Sequence, residues 1–287
     1  MHKLGRGVAA IALMAMSVSW TAMAATTVTT TGVTTLPALN SRGAGPGFAP
    51  GEPAPGGRGG FGIATFIAGL GGTTPSNSLL RFVNEDRSAG AVTLTLYDAV
   101  TGTQLATWTS ASIPAGAGLQ VSMASVVAAA TPALTSAQQA SVLNASVVAA
   151  FRGDYQLLSI ANSAIVNQST CNSDSHLGYV EGPGASGISG AVRLTNATTT
   201  AGTITADIYD AATGTKLGAW TSASVPAHAS ITVTASTLGA ATSPAVPTTT
   251  AALTIVPTGA TARLRIEHLA AVTGQTTASN LSAACPL

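Results

Sequence analysis

Side chains able to do chemistry are few in this chain. Beyond residue 24 there are three histidines, His176, His228 and His268. No two of them stand at a metal-ligand spacing, and HExxH and CxxC patterns are absent. The densest polar cluster, Cys171-Asn-Ser-Asp-Ser-His176, places Ser, Asp and His within six residues. A hydrolytic triad is assembled from distant loops around an oxyanion site, a geometry that neighbours in sequence do not supply. No GxSxG elbow surrounds Ser186 or Ser189. An exported hydrolase working through Ser175 and His176 is therefore the remotest reading, and the segment reads instead as a linker. Glu85 and Asp86 offer two carboxylates where calcium takes six to eight oxygens, so the run Asn84-Glu-Asp-Arg87 reads as a solvated turn. His268 follows Glu267 in a strand pattern, where adjacent residues face opposite ways and cannot work as a pair. No cofactor or metal site is expected.

Two further sets of residues carry hypotheses. Cys171 and Cys285 stand in a chain that carries an export signal, where the compartment permits a disulfide. They could bond to each other, remain as buried thiols or bond between molecules. Trp108, Trp220 and Tyr179 could form a stacking platform for a sugar. Against this, a large residue recurring at one strand position is more often a core anchor.

These residues sit in a chain of 287 residues that is 7% charged, 46% hydrophobic and 4% aromatic. Residues 1–24 have the marks of a secretory signal: His2, Lys3 and Arg6, an apolar run over 8–18, then small residues at Ala22 and Ala24. Cleavage after Ala24 leaves 9 basic against 10 acidic side chains. A nucleic-acid partner is excluded, since neutralising phosphates needs clustered Lys and Arg. No later apolar run reaches membrane-spanning length, so no span is expected after signal removal. The product should be exported, to the extracellular space, the cell surface or the periplasm.

The strongest pattern is an internal repeat. Shifted by 112 positions, residues 81–125 align with 193–237 without a gap, and 21 of the 45 positions are identical. YDAVTGTQLATWTSASIPAGA from Tyr97 matches YDAATGTKLGAWTSASVPAHA from Tyr209. Units of about a hundred residues exceed solenoid periods and fit two domains, each with its own core. Within a copy the period is two, predicting strands over 92–97 and 105–110, over 192–196, 203–209, 216–222 and 230–234, and later over 155–160 and 263–269. Asp98 and Asp210 should accept backbone N–H bonds in a hairpin turn, with Gly102 and Gly214 at positive φ. Pro114 and Pro226 should end one strand before the next. In the turn after Pro226, His228 replaces Gly116 and is expected in a solvated loop. Ser136 could cap a short helix over 137–143, inside a helical or irregular crossover that the Pro-rich stretch 243–250 replaces in the second copy. The glycosylation pattern at Asn144, Asn167, Asn196 and Asn280 carries little weight in so Ser- and Thr-rich a chain.

Residues 25–76 differ in composition. Of residues 41–60, 12 are Gly or Pro, a flexible arm. The apolar decamer FGIATFIAGL over 61–70 then reads two ways. It is a first strand of the first domain, or it is an assembly strand, presenting Phe61, Ile63, Phe66, Ile67 and Leu70 to the sheet edge of another molecule. The expected organisation is a signal peptide over 1–24, an arm over 25–76, a first β-sandwich over 77–180, a linker over 181–187 and a second β-sandwich over 188–287. The fold class is all-β, two tandem antiparallel sandwiches from an internal duplication.

The motifs SLLRFVN, AGAVTLTLYDAVTGTQLATWTS and AGTITADIYDAATGTKLGAWTS resemble the Ig-like sandwich repeats of proteins exported by Gram-negative bacteria. The resemblance covers about two thirds of the chain and implies a fold and an envelope setting, with no catalytic residues to carry over. It implies a non-enzymatic structural or adhesive protein, a fibre or surface-layer subunit among the options, with itself or another envelope protein as partner. The alternative is a carbohydrate- or surface-ligand module with a polysaccharide as partner.

Overall fold

The computed structural model describes residues 64–71, 78–161, 164–167, 178–262, 264–273 and 278–281, all within one compact unit. The signal segment, the Gly/Pro-rich arm, Phe61, Ile63, Cys171, Ser175, His176 and Cys285 lie outside the described residues. The described residues are mostly β, consistent with an all-β chain, and every strand pair among them is antiparallel.

The first half runs β1 (Ala64–Gly71), β2 (Ser78–Asn84), β3 (Val92–Asp98), β4 (Gln104–Thr109), β5 (Gly118–Ser122), α1 (Met123–Ala129), α2 (Ser136–Ala140), β6 (Val142–Ala149), β7 (Gly153–Ala161) and β8 (Ala164–Asn167). The second runs β9 (Gly178–Glu181), β10 (Ile188–Asn196), β11 (Ile204–Asp210), β12 (Lys216–Thr221), β13 (Ser230–Thr234), α3 (Ala235–Ala241), β14 (Ala252–Ala260), β15 (Leu264–Val272) and β16 (Ser279–Asn280). The halves repeat sheet for sheet. β1-β6-β3-β4 corresponds to β9-β14-β11-β12, and β5-β2-β7-β8 to β13-β10-β15-β16.

Alternation buries one side of each sheet. Leu80 and Phe82 of β2 face Leu94 and Leu96 of β3 and Leu143, Ala145 and Val147 of β6 across one core. Val192 and Leu194 face Ile204, Ala206, Ile208, Leu253 and Ile255 across the other. Each half is thus a two-sheet sandwich with its own interior.

The turn chemistry is as the residue types require. Asp98 Oδ1 accepts from the N–H of Val100 and Thr101 at 3.0 and 2.8 Å, and Asp210 Oδ1 from Ala212 and Thr213 at 2.9 Å each. Gly102 and Gly214 follow at φ of 70° and 69°. At the end of β2 and of β10 the two halves share a buried asparagine tie. Asn84 Nδ2 donates to the carbonyls of Ser88 and Ile113, and its Oδ1 accepts from Asp86 N–H. Asn196 does the same with Thr200, Val225 and Thr198.

Pairing moves both expected domain boundaries. β1 zips antiparallel onto β6, with Ala64 opposite Val148 and Leu70 opposite Leu143, so the apolar decamer contributes an edge strand to the first sandwich. β9 takes the matching place beside β14, with Tyr179 opposite Thr254. Residues 178–181 therefore belong to the second sandwich. The Ala-rich region also differs from expectation. α2 ends at Ala140 and is capped by Thr135 in a reciprocal box with Gln138, while Leu143 is a core residue of β6. The crossover is not confined to one copy: α1 has its counterpart in α3, each capped by a hydroxyl at its start, Ser122 and Thr234. The bridges Thr107↔Thr131 and Ala219↔Ser243 carry the 112-residue register past both helices. The stretch after Ser243 is non-helical, as Pro244 and Pro247 dictate.

Candidate functional site

Where charged and aromatic side chains converge, they do so at the junction of the two sandwiches. From the first come the outer face and end of the β1-β6-β3 sheet, and from the second the turn before β13 and the outer face of β10 and β15. Tyr97 of β3 stacks on His228 at 4.4 Å between ring centroids, and Phe66 of β1 lies 5.9 Å from the same imidazole and 6.0 Å from Tyr97. Partial burial pushes the Tyr97 phenol above its ordinary pKa. His228 sits at φ 59°, a left-handed conformation costly for any residue with a Cβ. Its Nδ1 is buried without a hydrogen-bond partner among the described residues. The expectation of a solvated loop histidine is corrected. The ring is held between sandwiches, and stacking offsets the backbone strain.

Asn144 of β6 ties the seam together. Its Nδ2 donates to the His228 carbonyl at 3.0 Å, while its Oδ1 accepts from Gly69 N–H and from Ser230 Oγ, both at 3.3 Å. Ser230 N–H donates to the Ala99 carbonyl at 2.7 Å, and Arg265 Nη1 to the Phe66 carbonyl at 2.6 Å. Arg193 and Glu267, directly opposite on β10 and β15, form an ion pair whose side chains are 7% and 3% exposed. Thr195 Oγ1 donates to the same carboxylate at 3.2 Å. The guanidinium lies against β1 so closely that a Cβ on Gly69 would fall 2.1 Å from Arg193 Nη1. A Cβ on Gly102 would fall 1.7 Å from the Ala227 carbonyl oxygen. At Gly102 the partner sandwich's backbone occupies the space and requires glycine, while at Gly69 it is the φ of 76° that favours glycine, with the guanidinium tip crowding the same spot.

A second polar contact lies inside the second sandwich. His268 Nε2 and Glu181 Oε2 are 2.7 Å apart, linking β15 to β9, and Tyr179 meets the imidazole edge-on at 6.3 Å. Glu267 and His268 do point to opposite sides of their strand, each to its own partner. Neither arrangement reaches three metal-ligating side chains, and no such group occurs among the described residues.

The stacking candidates separate. Trp220 is 3% exposed and belongs to the core. Trp108 is partly buried against the first core. Tyr179 is 55% exposed, on the outer face of β9. Phe66, Ile67 and Leu70 of the decamer are all buried, Ile67 and Leu70 in the core and Phe66 at the junction. Glu85, Asp86, Arg87, Ser88 and Arg152 line a shallow depression, in which Asp86 Oδ2 accepts from Arg152 N–H at 2.7 Å, an ordinary turn bond. Asn144, Asn196 and Asn280 are buried, so their amides are shielded from glycan addition.

Sequence reasoning passed over Tyr97, Asn144, Arg193 and Glu267. One signal was present. The arginine is common to both copies as Arg81 and Arg193, while its cross-strand neighbour changes from Gln156 to Glu267. In the same copy the open turn glycine Gly116 becomes His228. Substitutions concentrated on one face of one copy mark a surface that has acquired a neighbour. No family model matches the chain, and no curated protein matches it in sequence.

Proposed function

We propose that this protein is an exported, non-enzymatic structural or adhesive component of the cell envelope, built as a two-sandwich rod. One observation carries the reading: the buried ion pair and the aromatic stack lie at a joint between domains, where they fix an orientation. A joint of this kind holds two modules in one mutual orientation, as a spacer, fibre or lattice subunit requires. The pairs β2–β5 and β3–β6 take the places of the B–E and C–F pairs of an immunoglobulin sandwich and support the Ig-like reading, while β7, in the place of strand G, pairs with β2 and not with β6. The export signal and the low charge support the envelope setting. The test is to express the full chain in a Gram-negative host and fractionate the cells. The expected product begins at Ala25 and is found outside the inner membrane. An uncleaved cytoplasmic product would refute the proposal.

A polysaccharide-binding role is the second reading, favoured by the exposure of Tyr179. It predicts tyrosine fluorescence that responds to glycans; indoles of Trp108 and Trp220 shielded from a soluble quencher would count against a platform built on them.

A further inference from the structure

The geometry points to a second copy of this chain as the partner of two surfaces that the fold leaves uncovered: the outer sheet end of the second sandwich and the turn face of the first. This inference rests on the structural reading above and names the contact by which such a subunit would assemble.

The template is the joint inside the chain. There the first sandwich acts as receiver, through Tyr97, Asn144, the Gly69 bulge and the Gly102 hairpin. The second acts as inserter, through the turn Pro226-Ala-His-Ala-Ser230 and Arg193. Because the halves repeat strand for strand, each surface has a counterpart on the other half. The receiver recurs on the second sandwich as Tyr209, Thr254, Tyr179 and the Gly214 hairpin, with Tyr209, Thr254 and Tyr179 in one row across β11, β14 and β9. The inserter recurs on the first as the turn Pro114-Ala-Gly-Ala-Gly118 and Arg81.

The closing turn bond and the positive φ recur in both inserters, although the Gly116 N–H donates to the Asn84 carbonyl and the His228 N–H to that of Thr198. Ala117 N–H donates to Pro114 C=O, and Ala229 N–H to Pro226 C=O, at 3.1 Å each. Gly116 and His228 both take positive φ, 69° and 59°. What differs is cover. Pro114, Ala115 and Gly116 are exposed where Pro226, Ala227 and His228 are half-buried. A Cβ on Gly102 meets the neighbouring sandwich, whereas one on Gly214 or Gly116 meets nothing within 4 Å. Thus one receiver and one inserter are occupied by each other, and among the described residues one of each stands open.

The open pair has its own chemistry. Tyr179 stands where Gly69 receives Arg193, so Arg81 of an incoming copy meets an aromatic face in place of bare backbone. Arg81 is half-buried and bonded at an exposed site to Gln120 and Gln156 at 2.8 to 3.3 Å, with no carboxylate partner among the described residues that would have to be stripped away. Gly118 N–H and Ala211 C=O occupy the places of the Ser230–Ala99 bond. Lacking the histidine stack and the buried ion pair, this contact is weaker than the internal joint and reversible. Receiver and inserter are different patches, so the association is heterologous and propagates head to tail rather than stopping at a symmetric dimer.

The test uses the exported chain from Ala25 onward, with sedimentation velocity and light scattering over a wide concentration range. Ala115→Arg blocks the inserter and Thr254→Arg the receiver, both at surface positions outside the cores. The wild type is expected to grow with concentration, and each variant to weaken association by at least about tenfold, a loss of about 1.4 kcal/mol. Mixing the two variants is expected to give dimers and nothing larger, since each retains one live surface. Circular dichroism and urea midpoints equal to wild type confirm that the variants are folded. A wild type that stays monomeric throughout, blocked variants that assemble normally, or a mixture that forms no dimer would each overturn the proposal. So would a glycan that binds the tyrosine row of a chain that never self-associates. Envelope location is read independently by fractionation, so failure here leaves the structural reading standing on its own test.

Discussion

Glu267→Gln is the sharpest perturbation of the joint. The amide keeps the shape of the carboxylate and removes its charge, leaving the Arg193 guanidinium buried against β1 without a counter-charge. With the side chains 7% and 3% exposed, the relevant cost is that of breaking a buried pair, about 3–5 kcal/mol. The first sandwich holds the control, since Arg81 already faces Gln156 at the equivalent register and in the open. Gln156→Glu there creates an exposed pair, expected to change stability by no more than about 1 kcal/mol. With a urea slope of about 2 kcal/mol/M, Glu267→Gln lowers the unfolding midpoint of the second sandwich by about 2 M, and Gln156→Glu moves that of the first by under about 0.5 M. Replacing both partners, Arg193→Met with Glu267→Leu, should recover most of the loss, because it removes the stranded charge. The assay is urea unfolding followed by tryptophan fluorescence, Trp108 reporting the first sandwich and Trp220 the second. If Glu267→Gln and Gln156→Glu shift their midpoints equally, the pair is hydrated in solution and the joint is not closed.

Further predictions rest on the same internal duplication. Gly102→Ala and Gly214→Ala both place a Cβ at φ near 70° and each incurs left-handed strain of about 1–2 kcal/mol, but only Gly102→Ala also collides with Ala227. It should destabilise measurably more in paired urea titrations, and equal losses would disprove the packing at the hairpin. Asn84→Ala and Asn196→Ala each remove a buried amide that ties two carbonyls and one backbone N–H together and should cost about 1–3 kcal/mol, each in its own sandwich. A tie of no structural weight would show as unchanged midpoints. The Asp210 carboxyl is held below the ordinary carboxylate range, first by the Thr213 N–H, then by the Ala212 N–H and the Thr213 hydroxyl, against a desolvation that raises it. A depressed folded-state pKa gives stabilisation that is complete above the unfolded value, about 3.9, and is lost as pH falls through the folded one. Asp210→Asn should therefore flatten the acid dependence of the second sandwich below about pH 4. An unchanged acid slope would count against the turn bonds.

Local chemistry was legible in the residues wherever neighbours in sequence are neighbours in space. The Asp-Ala-x-Thr-Gly hairpins, the alternating strands of β3, β4, β11 and β12, and the core position of Trp220 follow from period-two burial and from what Asp and Gly do in a turn. The role of the decamer was open because an apolar run of ten residues satisfies any unpaired edge. Its place beside β6 depends on pairing about 80 residues away. The misplaced helix has a local reason: Thr135 and Ser136 are both good caps, and Thr135 prevails because Gln138 completes the reciprocal box with it. His228 was misjudged because its solvent exposure depends on a surface belonging to the other sandwich.

The amino-acid sequence by itself determined that there are two copies of one β unit, where their hairpins turn, and which face of each strand is apolar, since periodicity and turn propensity act within a few residues. Only the tertiary structure decided which strand completes each sheet, and that Arg193, Glu267, Tyr97, Asn144 and His228 meet at a joint. Those contacts join residues separated by 70 to more than 130 positions, and their energy comes from excluding water between two surfaces. No local pattern encodes that exclusion, because it exists only once both sandwiches have formed.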